Sequence, residues 1–444
     1  MRSRALRGCA GFRCAAGLVA AGCLAPSGLA QGTQRVSVGP GRTQSNGHSW
    51  QASVSGNGRC IAFESLASNL VPDDTNGVQD VFVHDRWTGS TLRASIAADG
   101  AGGNGESARP SISHDGRYVA FASAATNLVA GDTNGVIDVF VHDLATRATL
   151  RVSVSSGGGE GNGRSIHPFI SADGGAVVFH SEATNLAPDG NPQWDVFLHE
   201  LSTGITALAS LRTDGGWGND WSEHASISGD GRLVAYHSDA DNLVDADTNR
   251  VEDVFVYDRA TGVTSRISVS SAGEQANGLC VFPNAAAGGR FVVFESEASN
   301  LVAGDDNGVR DIFVRDLDSS ATLRVSVSSD GTEADQDCYT PAISRDGRYV
   351  VFASASGSLA PDDTNGLPDA FVHDLHTGAT ELVSRALGGM QGNGVSNFTT
   401  ISASGAHVAF QSSARNLVGG DTNAAFDIFV HERRPAPWPL GVRP

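Results

Sequence analysis

The sequence predicts an all-β protein, a seven-bladed β-propeller of four-stranded blades closed by its N-terminal strand. Three observations predict it. A unit of about 58 residues recurs seven times, each unit carries four strand-like segments, and the two ends of the chain are out of phase with the unit. An Asp two residues before a Phe marks the phase, at Asp80, Asp138, Asp195, Asp253, Asp311, Asp369 and Asp427. Five of the six gaps are 58 residues and one is 57, the regularity of a repeat architecture.

The second unit shows the elements in order. Ser111-Ile112-Ser113 is a short strand, and Asp115-Gly116 readily takes the positive φ that a tight turn needs. Tyr118 to Ala122 is the second strand. A long polar loop, 123–137, carries Asn127-Leu128-Val129 and Asp132-Thr133-Asn134-Gly135. Val139 to His142 is the third strand, 143–147 a turn, and Thr149 to Val154 the fourth strand. A Gly-rich join, 155–163, leads into the next unit. Four short strands repeated radially protect the sheet edges. Blades that pack on both neighbours need large apolar residues, and two columns supply them. One is Phe63, Phe121, Phe179, Tyr236, Phe294, Phe352 and Phe410; the other is Phe82, Phe140, Phe197, Phe255, Phe313, Phe371 and Phe429. The chain starts with a fourth-strand sequence, Arg35-Val36-Ser37-Val38, and its last unit stops after a third strand at His431. The N-terminal strand is therefore expected to complete blade seven and close the ring.

Residues 1–30 read as a signal peptide. Arg2, Arg4, Arg7 and Arg13 precede a mostly apolar stretch, and Gly28-Leu29-Ala30 supplies small residues for cleavage after Ala30. The alternative is a lipid anchor on Cys23. The propeller is expected over 31–434, followed by a Pro-rich tail, 435–444, and no other stretch is apolar enough to span a membrane. The expected location is periplasmic or extracellular. Cleavage removes four of the 30 basic residues and leaves 26 against 49 acidic ones, a net charge of −23. Such a surface argues against nucleic acid and anionic lipid as partners. Three cysteines remain, Cys60, Cys280 and Cys338, with no zinc-ligand spacing. Export permits a disulfide. Cys280 and Cys338 stand where other units have Ser49, Ser107, Ser165, Ser222 and Ser396, so a bond between these neighbouring inner strands is expected, with Cys60 free.

The core of the unit is well shown by Ser344, Asp346-Gly347-Arg348, Phe352, Asn365-Gly366, Pro368-Asp369, Phe371 and Asp374. It resembles the TolB-like, WD-like propeller repeat, and the resemblance covers all seven units. It implies the propeller fold and leaves the role open, because that repeat serves unrelated functions. TolB resembles six blades with a separate domain, whereas seven units and no extra domain are expected here.

The most specific polar pattern is Asp-x-Asn-x-x-x-Asp. It comprises Asp74/Asn76/Asp80, Asp132/Asn134/Asp138, Asp189/Asn191/Asp195, Asp247/Asn249/Asp253, Asp305/Asn307/Asp311, Asp363/Asn365/Asp369 and Asp421/Asn423/Asp427. Carboxylate and amide oxygens in a Gly-containing loop are ligands that Ca²⁺ prefers. The same side chains also cap the backbone of their own loops, so both readings stand. A His column, His84, His142, His199, His373 and His431, with Tyr257 and Arg315 in two units, reads as structural. No phosphate loop, nucleophile elbow or metalloprotease motif is present, and no catalytic residue is assigned.

Residues that break the repeat are the best candidates for ligand contact: Trp194, Trp217, Trp221 and His224, with Asp220 and Asp239 nearby, in units three and four. The expected function is a monomeric, non-catalytic scaffold binding a protein or a glycan. The alternative is an enzyme acting on glycans, a lyase or hydrolase, in the propeller mouth. Both long connections of each unit fall on one face, the expected binding face.

Overall fold

The computed structural model describes residues 32–188 and 190–435. The predicted signal segment with Cys23, Asp189, and residues 436–444 of the tail lie outside the described residues. The described chain forms seven four-stranded antiparallel sheets. Among the described residues the one helix is a single 3-10 turn, Pro40–Arg42. In six sheets the strands follow chain order; the seventh takes its outer strand from the N-terminus. There Thr33–Arg35 pairs with Asp427–Glu432, with Thr33 opposite His431 and Arg35 opposite Phe429. The predicted closure is observed.

The core lies between blades. Val119 and Phe121 of blade two pack with Ala62, Val81 and Val83 of blade one, and the pattern recurs round the ring. Within each blade the two aromatic columns face each other, as Phe63 and Phe82 do with ring centroids 6.0 Å apart, and both are fully buried. Each such side chain contributes roughly 1.5–3 kcal/mol by burial, so this core is what makes the blades cohere.

The His column is a set of inter-blade ties. The Nδ1 atoms of His84, His142, His199 and His373 lie 2.8–3.0 Å from the hydroxyls of Thr91, Thr149, Thr206 and Thr380 on the fourth strand. Those hydroxyls donate to carbonyls of the preceding blade, Val38, Ile96, Val154 and Val327. His431 does the same through Thr33 of the N-terminal strand, which donates to the Arg385 carbonyl.

The expected Cys280–Cys338 bond is not formed: both thiols are free and buried, and Cys60 is free and half-buried. The reason lies in side-chain direction. The serines of this column point into their own blade, where Ser49 meets Ser65 at 2.9 Å and Ser222 meets Ser238 at 2.9 Å. Cys280 likewise meets the Ser296 hydroxyl at 3.1 Å, so its sulfur faces its own second strand and not the next blade.

Candidate functional site

The two long connections of each blade lie on one face and are tied together. The inter-blade join at Asn104 receives and gives hydrogen bonds to Thr126 and Asn127 of the loop between strands two and three. This face carries the acidic loops. In five blades an arginine of the fourth strand bridges both carboxylates of the Asp-x-Asn-x-x-x-Asp pattern. Arg93 lies 3.0 Å from Asp74 and 3.2 Å from Asp80. Arg151 repeats the bridge at Asp132 and Asp138, Arg266 at Asp247 and Asp253, Arg324 at Asp305 and Asp311, and Arg35 at Asp421 and Asp427. In these five blades the cation between the carboxylates is the protein's own guanidinium. Serines such as Ser95 and Ser153 complete the second Asp. Blades three and six have Leu208 and Leu382 at the arginine position. In blade six Gln391 takes over, donating to Asp363 at 2.6 Å and to Asp369 at 2.9 Å.

Of the two readings of the pattern's asparagines, cation ligand and loop cap, the observed hydrogen bonds are those of a cap. In six blades it is the amide nitrogen that faces the second Asp. Asn76 Nδ2 donates to Asp80 at 2.7 Å and to the Gly103 carbonyl of the inter-blade join at 2.9 Å. Asn134, Asn249, Asn307 and Asn365 make the same pair of bonds, each 2.8 Å from its Asp: Asp138, Asp253, Asp311 and Asp369. Asn423 donates to Asp427 and to the Ser45 carbonyl, both at 3.0 Å. In blade three Asn191 donates to the Gly218 carbonyl at 2.8 Å. The oxygens of Asn76, Asn134, Asn191, Asn307, Asn365 and Asn423 accept an N–H two residues on, capping their own loop. The physical reason is charge: a buried carboxylate needs donors, and an amide can present its NH₂ to that carboxylate while its oxygen turns back to the backbone.

Toward the axis, each first strand carries a β-bulge two residues after its Ser or Cys. The bulge residues are Gln51, Arg109, His167, His224, Phe282, Thr340 and Phe398, all at φ between 46° and 56°. Their backbone is the same in every blade while their side chains differ. Together they line a cavity of about 270 Å³ in the mouth of the central channel. A side chain on the second strand of the preceding blade holds the bulge N–H in five places. Glu64 accepts from Arg109 at 2.7 Å, His180 Nδ1 from His224 at 3.1 Å, and His237 Nδ1 from Phe282 at 3.2 Å. Glu295 accepts from Thr340 at 2.7 Å and Gln411 from Gln51 at 3.0 Å.

One sector of the mouth is distinctive. His224 is surrounded by His167, His180, His237 and Phe282, with ring centroids at 4.2, 5.3, 5.0 and 4.7 Å. Trp194 meets the His180 ring edge-on at 5.0 Å and lies under the Arg164 guanidinium. Burial, and then the neighbouring rings, hold His167, His180 and His237 far below the usual imidazole range. Burial and then Arg109 lower His224 to about 4. All four are neutral imidazoles at neutral pH, the form that accepts protons and ligates metal. Beside them stand carboxylates in the opposite condition. Burial, then Asp239 and Glu223, push Glu252 up to about 7, and burial with Asp239 raises Glu223. Glu223, His224 and His237 each place one ligand atom within 4.8 Å of the others.

Of the residues singled out by the sequence, His224 and Trp194 belong to this cluster, with Asp239 next to Glu252. Trp221 flanks it, half-exposed, its indole N–H donating to Gln193. Trp217 lies over the loop of blade three, where a Cβ on Gly190 would come 2.1 Å from the indole. Its N–H reaches the Pro188 carbonyl at 3.4 Å, and it makes no ring contact with the histidines among the described residues. Reading by repeat breaks missed His167, His180, His237, Phe282 and Arg109. The signal that finds His167, Phe282 and Arg109 is the column two residues after the recurring Ser or Cys, where five residue types occupy seven units; His180 and His237 stand in the second-strand column just after the aromatic, which also varies.

No family model matches the chain, and no curated protein matches it. Solved propellers do. An oligogalacturonate lyase in complex with manganese is 13% identical with a TM-score of 0.55, covering 90% of this chain and 92% of that one. The propeller domain of the Trilobed protease from Pyrococcus furiosus, described as having an open velcro topology, is 9% identical with a TM-score of 0.53, covering 87% and 95%. A TolB of Agrobacterium tumefaciens is 14% identical with a TM-score of 0.43, covering 80% and 98%. For the lyase and the protease domain, at these identities, the likeness is one of fold.

Proposed function

We propose that the protein is an exported, monomeric scaffold that holds a protein or glycan ligand over the channel mouth on the long-loop face. One observation carries this reading. Seven identical backbone bulges present five kinds of side chain to one cavity, and three of the four aromatic ones, His167, His224 and Phe282, fall in the adjacent blades three to five. A packing role would favour one residue type in that column, as it does in the two Phe columns. Trp194, Phe282, His167 and His224 offer flat ring faces of the kind that pack on a sugar ring or a peptide side chain. Arg109 supplies a cation for an acidic group on the ligand.

The test is a glycan and peptide array probed with the purified mature protein. Binding that is lost in Trp194→Ala and Phe282→Ala, and retained when the short-turn face is altered at Arg117, supports the mouth. The reverse pattern sinks it.

A second reading, an enzyme acting on acidic glycans, is favoured by a particular pairing. Glu223 lies beside the neutral imidazole of His224 and next to a carboxyl group, Glu252, whose pKa of about 7 lets it carry a proton at neutral pH. The structural likeness to an oligogalacturonate lyase is one of fold and adds a substrate class to try. Turnover of uronate oligosaccharides, seen as unsaturated products by mass spectrometry and absent in Glu252→Gln, would establish it. Binding without turnover leaves the scaffold.

A further inference from the structure

We propose that Glu223, His224 and His237 bind one first-row divalent transition ion at the channel mouth, which rests on the mouth being the working site and adds a metal to it. His224 Nδ1 is buried and has no hydrogen-bond partner. It faces Glu223 Oε2 at 3.6 Å. That is too long for a hydrogen bond, and close to the ~3.3 Å that separates two ligands each about 2.0–2.1 Å from a tetrahedral ion. A ring nitrogen of His237 lies within 4.8 Å of a ligand atom of each of the other two residues. His167, its ring 4.2 Å from His224, stands by on the cavity side.

Local charge is the second, independent argument. Asp239 lies against Glu252, and both lie beside Glu223. Among the described residues none of these three carboxylates forms an ion pair with an arginine. In the acidic loops, by contrast, a guanidinium bridges the two carboxylates in five blades. Here no guanidinium bridges the carboxylates among the described residues, and the ligand atoms facing the gap include imidazole nitrogens. Imidazole with carboxylate suits Zn²⁺, Mn²⁺, Fe²⁺, Co²⁺ or Ni²⁺ better than the all-oxygen preference of Ca²⁺ and Mg²⁺.

The experiment uses the purified mature protein, stripped with a chelator and dialysed. Zn²⁺ and Mn²⁺ are titrated by calorimetry, and Co²⁺ by its visible spectrum. One ion per chain is expected, with affinity at least tenfold weaker in both His224→Ala and Glu223→Gln and unchanged in the surface variant His376→Ala. Glu223→Gln keeps the size of the side chain, so it decides the matter if His224→Ala fails to fold. Absence of binding, or equal affinity in Glu223→Gln and wild type, overturns the site. Array binding that persists while the titration fails sinks the metal alone. A filled metal site with no ligand captured sinks the binding reading alone.

Discussion

The seven bulge residues, non-glycine and in the left-handed region, each cost the backbone about 1–2 kcal/mol, and the channel mouth is built on that strain. The anchoring side chains that accept the bulge N–H make it tolerable. His180 is one of them, and it serves the cluster and the backbone together. His180→Ala leaves the His224 N–H buried without an acceptor, which costs about 1–3 kcal/mol. A fall in melting temperature of about 1–3 °C by circular dichroism is expected. His180→Gln should recover most of it, because Gln411 accepts from Gln51 at the equivalent place in blade seven. No recovery would mean that the ring's packing, and not its acceptor, is what counts. The cysteines give a second residue-scale check. Burial pushes the thiols of Cys280 and Cys338 well above their usual range and that of Cys60 up to about 11. Native protein should leave Cys280 and Cys338 unlabelled by a thiol reagent at neutral pH, and all three should label after unfolding. A mass two hydrogen atoms lighter on the linked peptide pair would contradict the free thiols.

Among elements, the acidic loop and fourth strand act as one clamp, and blade six shows what the arginine contributes. Asp363 and Asp369 are buried there with an amide, Gln391, in place of a guanidinium. Burial raises Asp369 from 3.8 to about 6. The folded state therefore holds this proton more tightly than the unfolded chain does. The group's stabilisation is complete below about pH 4 and is lost as pH rises through 6. Leu382→Arg supplies the cation that the other clamps have. It should raise the melting temperature by about 2 °C at pH 8 and flatten the decline between pH 5 and 8. An unchanged pH profile would show that Asp369 is not its source. The turn carboxylates behave oppositely. The Arg59 guanidinium holds Asp85 down at about 2, so that pair stabilises above pH 4 and is lost as pH falls toward 2.

For the whole molecule, closure is a polar as well as an apolar event. The N-terminal strand brings Arg35 and Ser37 to Asp421 and Asp427, the same partners that Arg93 and Ser95 give Asp74 and Asp80 within blade one. Its Val36 joins the core between blades seven and one. Deleting residues 31–48 leaves Asp427 buried with neither partner and exposes an unpaired strand edge at Asp427–Glu432. Loss of several kcal/mol is expected, seen as a lower melting temperature and fast amide exchange in blade seven. A truncated protein that stays monomeric with an unchanged melting temperature would show that the ring does not depend on this strand.

The repeat, the four strands per unit, the inter-blade aromatic columns and the closing strand were legible in the sequence. Each obeys one packing rule seven times, and repetition is what a linear chain displays. The Asp-x-Asn column was legible as a pattern, but not the arginine that fills it, because that partner comes from a different strand and in blade seven from the far end of the chain. Nor was it legible that Asn249, Asn307 and Asn423 turn nitrogen and not oxygen to their Asp, since an amide offers both. The same limit hid most of the channel mouth. His167, His180, His224 and His237 come from two blades, and the bulges that turn His167 and His224 inward leave no mark in the sequence except that the residue type varies. The direction of Cys280 was equally invisible, since equivalent positions on neighbouring strands say nothing of which way a side chain points. The sequence by itself determined which positions repeat. Only the closed ring decided which of the unlike ones meet, because curvature about a single axis brings together side chains some 58 residues apart.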